Sequence, residues 1–221
     1  MDASSETPDA GAMTRARRVT VVACATIGLH ALGLLLAALT LRPGTDLVPA
    51  NARIAYLAQA PLGWSLGWGV WMLCALSLVA LLFVVSRAAG DTPLTRLALT
   101  LGVAGLAVDL VCDVVHIRMA PALAAVGDAR LLIALEALAT SVGAVVANGL
   151  YSLAALLVSG CLWKRGATRV AQLGVAVFVA GMAMVAAGFD AVPSHMQLGA
   201  GLAISLYCAW AFAVARFLSP R

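Results

Sequence analysis

The sequence predicts an all-α membrane protein: a bundle of six transmembrane helices with both termini in the cytoplasm. The 221 residues are 63% hydrophobic and only 11% charged, and the mean hydropathy is +1.01. A soluble domain of this size could not cover its surface with so few charges. Aromatic residues make up only 6% of the chain. The abundant Ala, Leu, Val and Gly suit helices that pack closely in lipid.

The N-terminal segment 1–17 is polar and rich in small residues, and we expect a disordered cytoplasmic tail. Met13 is an alternative start of translation. Residues 18–221 are predicted to form one transmembrane domain. Its first apolar run, 19–41, is too long for the core of a signal peptide and no clean cleavage site follows it, so we expect a retained first helix.

Five further apolar runs predict the remaining helices, at 62–86, 97–117, 131–163, 170–189 and 198–217. The fourth run would make a helix of about 50 Å, against a hydrocarbon layer of about 30 Å. Either this helix projects past the outer surface, or residues 127–138 form a separate interfacial piece. The sequence leaves open whether residues 121–138 belong to it.

The basic residues predict the orientation, because Lys and Arg concentrate in short cytoplasmic loops. With the N-terminus inside, ten of the fourteen basic residues lie on the cytoplasmic side: Arg15, Arg17, Arg18, Arg87, Arg96, Lys164, Arg165, Arg169, Arg216 and Arg221. Four lie outside: Arg42, Arg53, Arg118 and Arg130. These residues form no long basic patch, so we expect no nucleic-acid partner.

The longest outer loop, residues 42–61, contains the stretch PANARIAYLAQAP. Pro49 and Pro61 bound it, and proline favours the start of a helix but interrupts its interior. We therefore predict a short surface helix between them. Its apolar side chains would lie on the membrane surface or form a lid over the mouth of the bundle.

Asp109, Asp113 and His116 stand at positions i, i+4 and i+7 of the third predicted helix. This spacing places all three on one helical face. An ionisable group in the hydrocarbon layer costs several kcal/mol. We therefore expect this face to look into the bundle interior or water, away from lipid.

Counting helical rise from the cytoplasmic basic residues predicts two layers of polar groups. His30, Asp109 and Asn148 fall near the middle of the membrane. Asp113, His116, Glu136, Asp190 and His195 fall nearer the outer surface. The two layers together predict an outward-facing cavity lined by acids and histidines.

Three functions are compatible with such a cavity. The first is binding or transport of a small solute, proton or cation, carried by Asp109, Asp113, His116, His30 and Asn148. The second is a membrane-embedded, metal-dependent hydrolase, in which a divalent metal such as zinc would be held by Asp113, His116, Glu136 and His195. Their spacing matches no known metal motif. The third is a structural or accessory subunit of a membrane complex, since buried polar groups also hold helices together.

Three tryptophans, Trp64, Trp68 and Trp71, share one face at the outer end of the second helix. Such residues usually form an interfacial aromatic belt. Alternatively, their rings line an entrance and hold a cation on their π faces.

Several other classes of protein are excluded or left open by the sequence. It contains no P-loop motif. The five cysteines stand singly in separate apolar runs, where a thiol packs like a small hydrophobic group. Whether the protein is an enzyme stays open. High Ala content and a preference for Arg over Lys suggest a multi-pass protein of a bacterial inner membrane, whose first partner is the lipid bilayer. Oligomeric state is not predicted.

Overall fold

The computed structural model describes residues 10–45, 47–59, 61–190 and 193–218, and in these ranges it is helical with no strand. Six helical stretches are long and apolar enough to cross a membrane: Met13–Gly44, Leu62–Ala89, Pro93–Val126, Ala129–Lys164, Thr168–Phe189 and His195–Leu218. The predicted fold class, a six-helix membrane bundle, is therefore confirmed.

The α-helices are α1 Ala10–Leu36, α2 Ala50–Ala58, α3 Leu62–Ala89, α4 Pro93–Val114, α5 Ala120–Val126, α6 Ala129–Val142, α7 Asn148–Lys164, α8 Thr168–Asp190 and α9 Pro193–Leu218. Helix α1 begins earlier than predicted, so residues 10–17 are helical rather than disordered. The rest of the predicted tail, residues 1–9, lies outside the described residues. The short helix predicted between Pro49 and Pro61 is confirmed as α2.

The six spanning stretches form a closed ring in chain order. Each packs against the next, and α9 closes the ring by packing on α1. Successive stretches are antiparallel, because each connection lies at one end of the bundle. One end carries α2, α5 and the start of α6, and we call these three segments the cap.

Three stretches contain a five-residue π-helical segment: Ala37–Leu41, Val115–Met119 and Gly143–Ala147. Pro121 explains the second of them. Its ring nitrogen cannot donate a hydrogen bond, so the regular ladder is interrupted just before it. π-Helical turns are often found at functional sites, and all three segments here lie in the half of the bundle nearest the cap.

The third stretch does not end near residue 117, as predicted, but continues through the π-helical turn to Val126. Arg118 and Pro121 in the sequence suggested that the helix ends there. The π-helical turn lets the helix continue past both residues. The chain reverses at Gly127, whose φ of +77° favours glycine. Asp128 then caps α6 by accepting a hydrogen bond from the Leu131 amide at 3.0 Å.

The fourth stretch runs without a break from Ala129 to Lys164, so residues 129–138 belong to it. At 36 residues it is about 54 Å long, and its predecessor has 34 residues. Both exceed a hydrocarbon layer of about 30 Å. Of the two alternatives, the structure forms the continuous helix rather than a separate piece, and its projection past the membrane surface stays a prediction.

The interior of the ring is filled at the end away from the cap and hollow near the cap. Large side chains with no exposed surface fill the far end: Leu81, Leu82, Val158, Leu162, Trp210 and Val214. A second apolar cluster joins the cap to the ring through Leu41, Leu57, Trp64, Ala120, Ala124 and Leu132. The space between these two clusters is the cavity described next.

Candidate functional site

A cavity of about 790 Å³ lies inside the ring, beneath the cap. Six of the eight polar residues predicted to form the two layers line it: His30, Asp109, Asp113, His116, Glu136 and Asn148. His195 is exposed and does not line it, and the side chain of Asp190 lies outside the part of the chain that the structure describes. The helical spacing and the depth count therefore grouped residues that line one cavity in the folded chain.

Asp109 and Asp113 form the acidic wall of the cavity, one turn apart on α4. The Tyr151 hydroxyl donates to Asp109 Oδ2 at 3.3 Å. Asp113 is only 4% exposed, and its Oδ2 has no hydrogen-bond partner among the described residues. In the same part of the chain, no Lys, Arg or His forms a salt bridge with either acid.

Gly105 explains how Tyr151 reaches Asp109. It lies one turn before Asp109 on α4, and a Cβ at this position would stand 3.0 Å from the Tyr151 ring and 3.1 Å from the Ala147 carbonyl oxygen. The missing side chain lets α7 approach α4 closely. The sequence did not pair Tyr151 with Asp109, because the two residues lie on different helices.

His116 lies on the side of Asp113 nearer the cap and is held by two tryptophans of α3. Its ring stacks on Trp68, with centroids 4.0 Å apart and planes inclined by 6°. The Trp64 indole N–H donates to the His116 backbone oxygen at 2.7 Å. In the π-helical turn the Ala120 amide bonds Val115, and Pro121 has no N–H for the next carbonyl. Trp64 supplies that missing donor.

The tryptophans do not form a lipid-facing belt. Trp64, Trp68 and Trp71 all line the cavity, and Trp64 is only 1% exposed. Trp64 and Trp68 meet edge to face, with centroids 5.7 Å apart. The interpretation as an aromatic entrance wall is the one that fits the structure.

His30 and Asn148 complete the lining from α1 and α7, and both side chains bond nearby backbone. His30 Nδ1 lies 2.9 Å from the Thr26 carbonyl oxygen, and the His30 ring is 5.8 Å from that of Tyr207. Asn148 Nδ2 donates to the Gly143 oxygen at 3.0 Å, across the third π-helical segment. Both residues line the same cavity as Asp109, while their depth in the membrane and their roles stay predictions.

Arg53 of α2 forms an ion pair with Glu136 of α6 at the mouth of the cavity. Both residues are buried, with 8% and 5% exposed. Arg53 Nε also donates to the Gly44 oxygen at 3.0 Å. Sequence analysis singled out Glu136 but not its partner, because nothing in a surface-loop arginine indicates which helix it will meet.

Tyr56, also on α2, provides a second polar link between the cap and the ring. Its hydroxyl donates to the Thr40 oxygen at 2.6 Å, in the first π-helical segment. Burial raises the pKa of Tyr56, so the phenol remains protonated and able to donate at neutral pH. Arg53 and Tyr56 together hold α2 over the cavity, in the position of the predicted lid.

The proposed metal set is not assembled as a ligand cluster. Within the described residues, no three His, Cys, Asp or Glu side chains are grouped so that they could hold a metal ion. Glu136 forms an ion pair with Arg53, and His195 does not line the cavity. The hydrolase hypothesis therefore gains no geometric support. No protein-family model, curated protein or solved structure matches this chain.

Proposed function

We propose that the protein binds a small cationic solute in the cavity and carries it through the membrane. The observation behind this proposal is the acidic wall: Asp109 and Asp113 line a hollow inside a membrane bundle, and among the described residues neither has a positively charged partner. A bound cation would supply the missing charge.

The energetics favour a functional role for this pair. Acids within transmembrane helices are costly and normally face a partner, water or a transported species. A hydrogen bond between membrane helices contributes only about 0.6 kcal/mol on average. The single hydrogen bond from Tyr151 to Asp109 therefore offsets only a small part of the free-energy cost of placing two acids one turn apart in the membrane.

The shape of the cavity supports passage as well as binding. The lining of the cavity includes Arg42, Thr45 and Arg53 near the cap, while the apolar cluster around Leu81, Leu162 and Trp210 fills the other end of the ring. We propose that a ligand enters from the cap side. A site near the centre of the membrane that is open to one side is typical of one state of an alternating-access transporter. With the orientation predicted from the basic residues, that side is the outside.

The test is to measure cation-dependent currents from proteoliposomes on a solid-supported membrane, after concentration jumps of inorganic and organic cations. We expect at least one cation to produce a current with the wild-type protein. Asp109→Asn and Asp113→Asn should each reduce it at least tenfold, while the folded fraction in size-exclusion chromatography stays unchanged. If no cation produces a current, or if both variants match the wild type, the proposal is wrong.

Asp91→Asn is the matched control, because this acid lies at the end of the bundle away from the cavity. Arg96 bonds both Asp91 oxygens at 2.8 Å and holds the pKa of this carboxyl below its usual value. Any stability from the pair is present above the ordinary aspartate pKa and is lost as pH falls through the lowered one. An exposed pair contributes little, so the variant should keep both fold and current. Loss of folding in Asp109→Asn alone would instead indicate a structural role.

A further inference from the structure

We infer that the ligand of this cavity is a primary organic amine, with its ammonium group between Asp109 and Asp113 and its apolar body along the Trp68 ring. This inference rests on the proposed function, because it names the class of cation that the acidic wall takes. Three features of the cavity carry it: its size, the arrangement of its acceptors and its aromatic wall.

The size of the cavity fits a molecule rather than a bare ion. Small-molecule sites typically enclose about 300–1,000 Å³, and this one encloses about 790 Å³. A metal ion needs a tight shell of donors at about 2.0–2.6 Å. The described residues offer no such cluster of His, Cys, Asp or Glu. The two acids therefore stand on the wall of a space that an inorganic ion would leave largely empty.

The acceptors suit an ammonium group that carries N–H donors. Side chains at i and i+4 have Cβ atoms about 5–6 Å apart, so one nitrogen can lie between the two carboxylates and donate to both. Asp113 Oδ2 is buried without a partner among the described residues, and one Asp109 oxygen already accepts from Tyr151. A quaternary ammonium has no N–H and would leave Asp113 without a donor, which is costly in a buried site.

The aromatic wall can contact the apolar part of the amine. Trp68 and His116 stack with centroids 4.0 Å apart on the cap side of Asp113, and Trp71 lies one turn further along α3 on the same cavity. Much of the remaining lining is aliphatic, including Leu34, Leu78 and Ile204. An amine held by the acids would extend its apolar part along these rings, and indole faces also attract the cationic head.

The experiment compares matched probes by calorimetry on the full chain in lipid nanodiscs. Phenethylamine and butylamine represent primary amines. 2-Phenylethanol removes the charge, and trimethyl(2-phenylethyl)ammonium keeps the charge but removes the N–H donors. We expect phenethylamine to bind at least tenfold more tightly than either of its two analogues. K⁺, Ca²⁺ and Zn²⁺ should neither bind in its place nor compete with it.

Variants locate the binding in the cavity. Asp113→Asn should weaken phenethylamine at least tenfold. Trp68→Ala should weaken it about fivefold, with a smaller effect on butylamine. Trp68→Phe keeps an aromatic ring and should bind nearly as well as the wild type, so the Trp68 test does not depend on whether the alanine variant folds. Asp91→Asn should bind as the wild type does.

The failures of the two proposals are distinguishable. If an inorganic cation binds in a manner that requires Asp109 and Asp113 while both amines do not bind, the amine inference is overturned and cation binding stands. If the quaternary ion binds as tightly as phenethylamine, the bridging ammonium is wrong. If neither class of cation binds, or if amine binding does not depend on Asp109 and Asp113, both the proposed function and the inference are wrong.

Discussion

The Arg53–Glu136 ion pair is the strongest polar link between the cap and the ring. It joins α2 to α6, and both partners are nearly inaccessible to solvent. Breaking a buried ion pair by removing one partner typically costs about 3–5 kcal/mol, because the other charge stays in a medium that solvates it poorly. Replacing both partners with apolar groups of similar size is often neutral. The pair thus holds the cap in one position more than it adds net stability.

Glu136→Leu should therefore lower the free energy of unfolding by about 3 kcal/mol, because it removes the carboxylate that forms a buried ion pair with the Arg53 guanidinium. The double variant Arg53→Met/Glu136→Leu should recover most of that loss. Thermal unfolding in detergent, followed by circular dichroism, measures both. Equal melting temperatures for the single variant and the wild type would show that the pair does not constrain the cap.

At the scale of single residues, periodicity predicted much of the site. The spacing of Asp109, Asp113 and His116 was enough to place them on one face, since a helix has a fixed period. Helical periodicity could not predict partners on other elements, namely Tyr151 for Asp109 and Arg53 for Glu136. These pairings depend on which helices are neighbours, and that in turn depends on packing along the whole ring.

Among the elements, α7 and α8 pack through a stripe of small residues with a seven-residue period. Gly174 and Gly181 on α8 face Ser159 and Ser152 on α7, and Gly188 faces Val145 in the π-helical segment that precedes α7. A Cβ at Gly181 would overlap the Ser152 hydroxyl and lie 2.9 Å from the Ser152 Cβ. Close approach of backbones is the main source of helix association in lipid, where burial of apolar surface contributes little. This stripe therefore fixes the distance between the two helices.

We expect Gly181→Ala to destabilise the bundle by about 2 kcal/mol, because the added methyl group forces α7 and α8 apart. Gly160→Ala is the control: this glycine is also inside a helix, α7, but a Cβ there would meet no atom within 4 Å. It should be neutral or slightly stabilising. The third variant, Gly181→Ala/Ser152→Gly, returns the space and should restore most of the stability. Unfolding in detergent measures all three, and equal effects at positions 160 and 181 would contradict the model of the stripe.

Element boundaries were predictable where composition changes sharply and not where a helix leaves its regular geometry. The sequence placed the start of the helix after Pro61 correctly, since proline there begins the helix. The end of the third stretch was missed because a π-helical turn at Val115–Met119 carries the helix past Pro121. Such a turn depends on donors from elsewhere, here the Trp64 indole, which a local pattern does not contain.

For the whole molecule, the uneven filling of the ring makes the two ends of the bundle different. The apolar cluster fills one end of the ring, and the cavity extends to residues near the cap at the other, so the route we propose for a ligand is from the cap side. Which side of the membrane that is depends on orientation. The basic residues are concentrated around the ends and loops away from the cap, including Lys164, Arg165 and Arg169, and such clusters stay in the cytoplasm.

The cap should therefore lie outside the cytoplasm, and fusions of alkaline phosphatase, which is active only in an oxidising exterior compartment, can test this. In a Gram-negative host, fusion after Gly127 in the cap should be active and fusion after Gly166 inactive. Both sites are turns with positive φ and no atom near the missing Cβ, so they tolerate an attached domain equally well. A green fluorescent protein at the C-terminus should fluoresce, because it matures in the cytoplasm. The reverse pattern would place the cap inside, and the acids would then take their cation from the cytoplasm, as an exporter would.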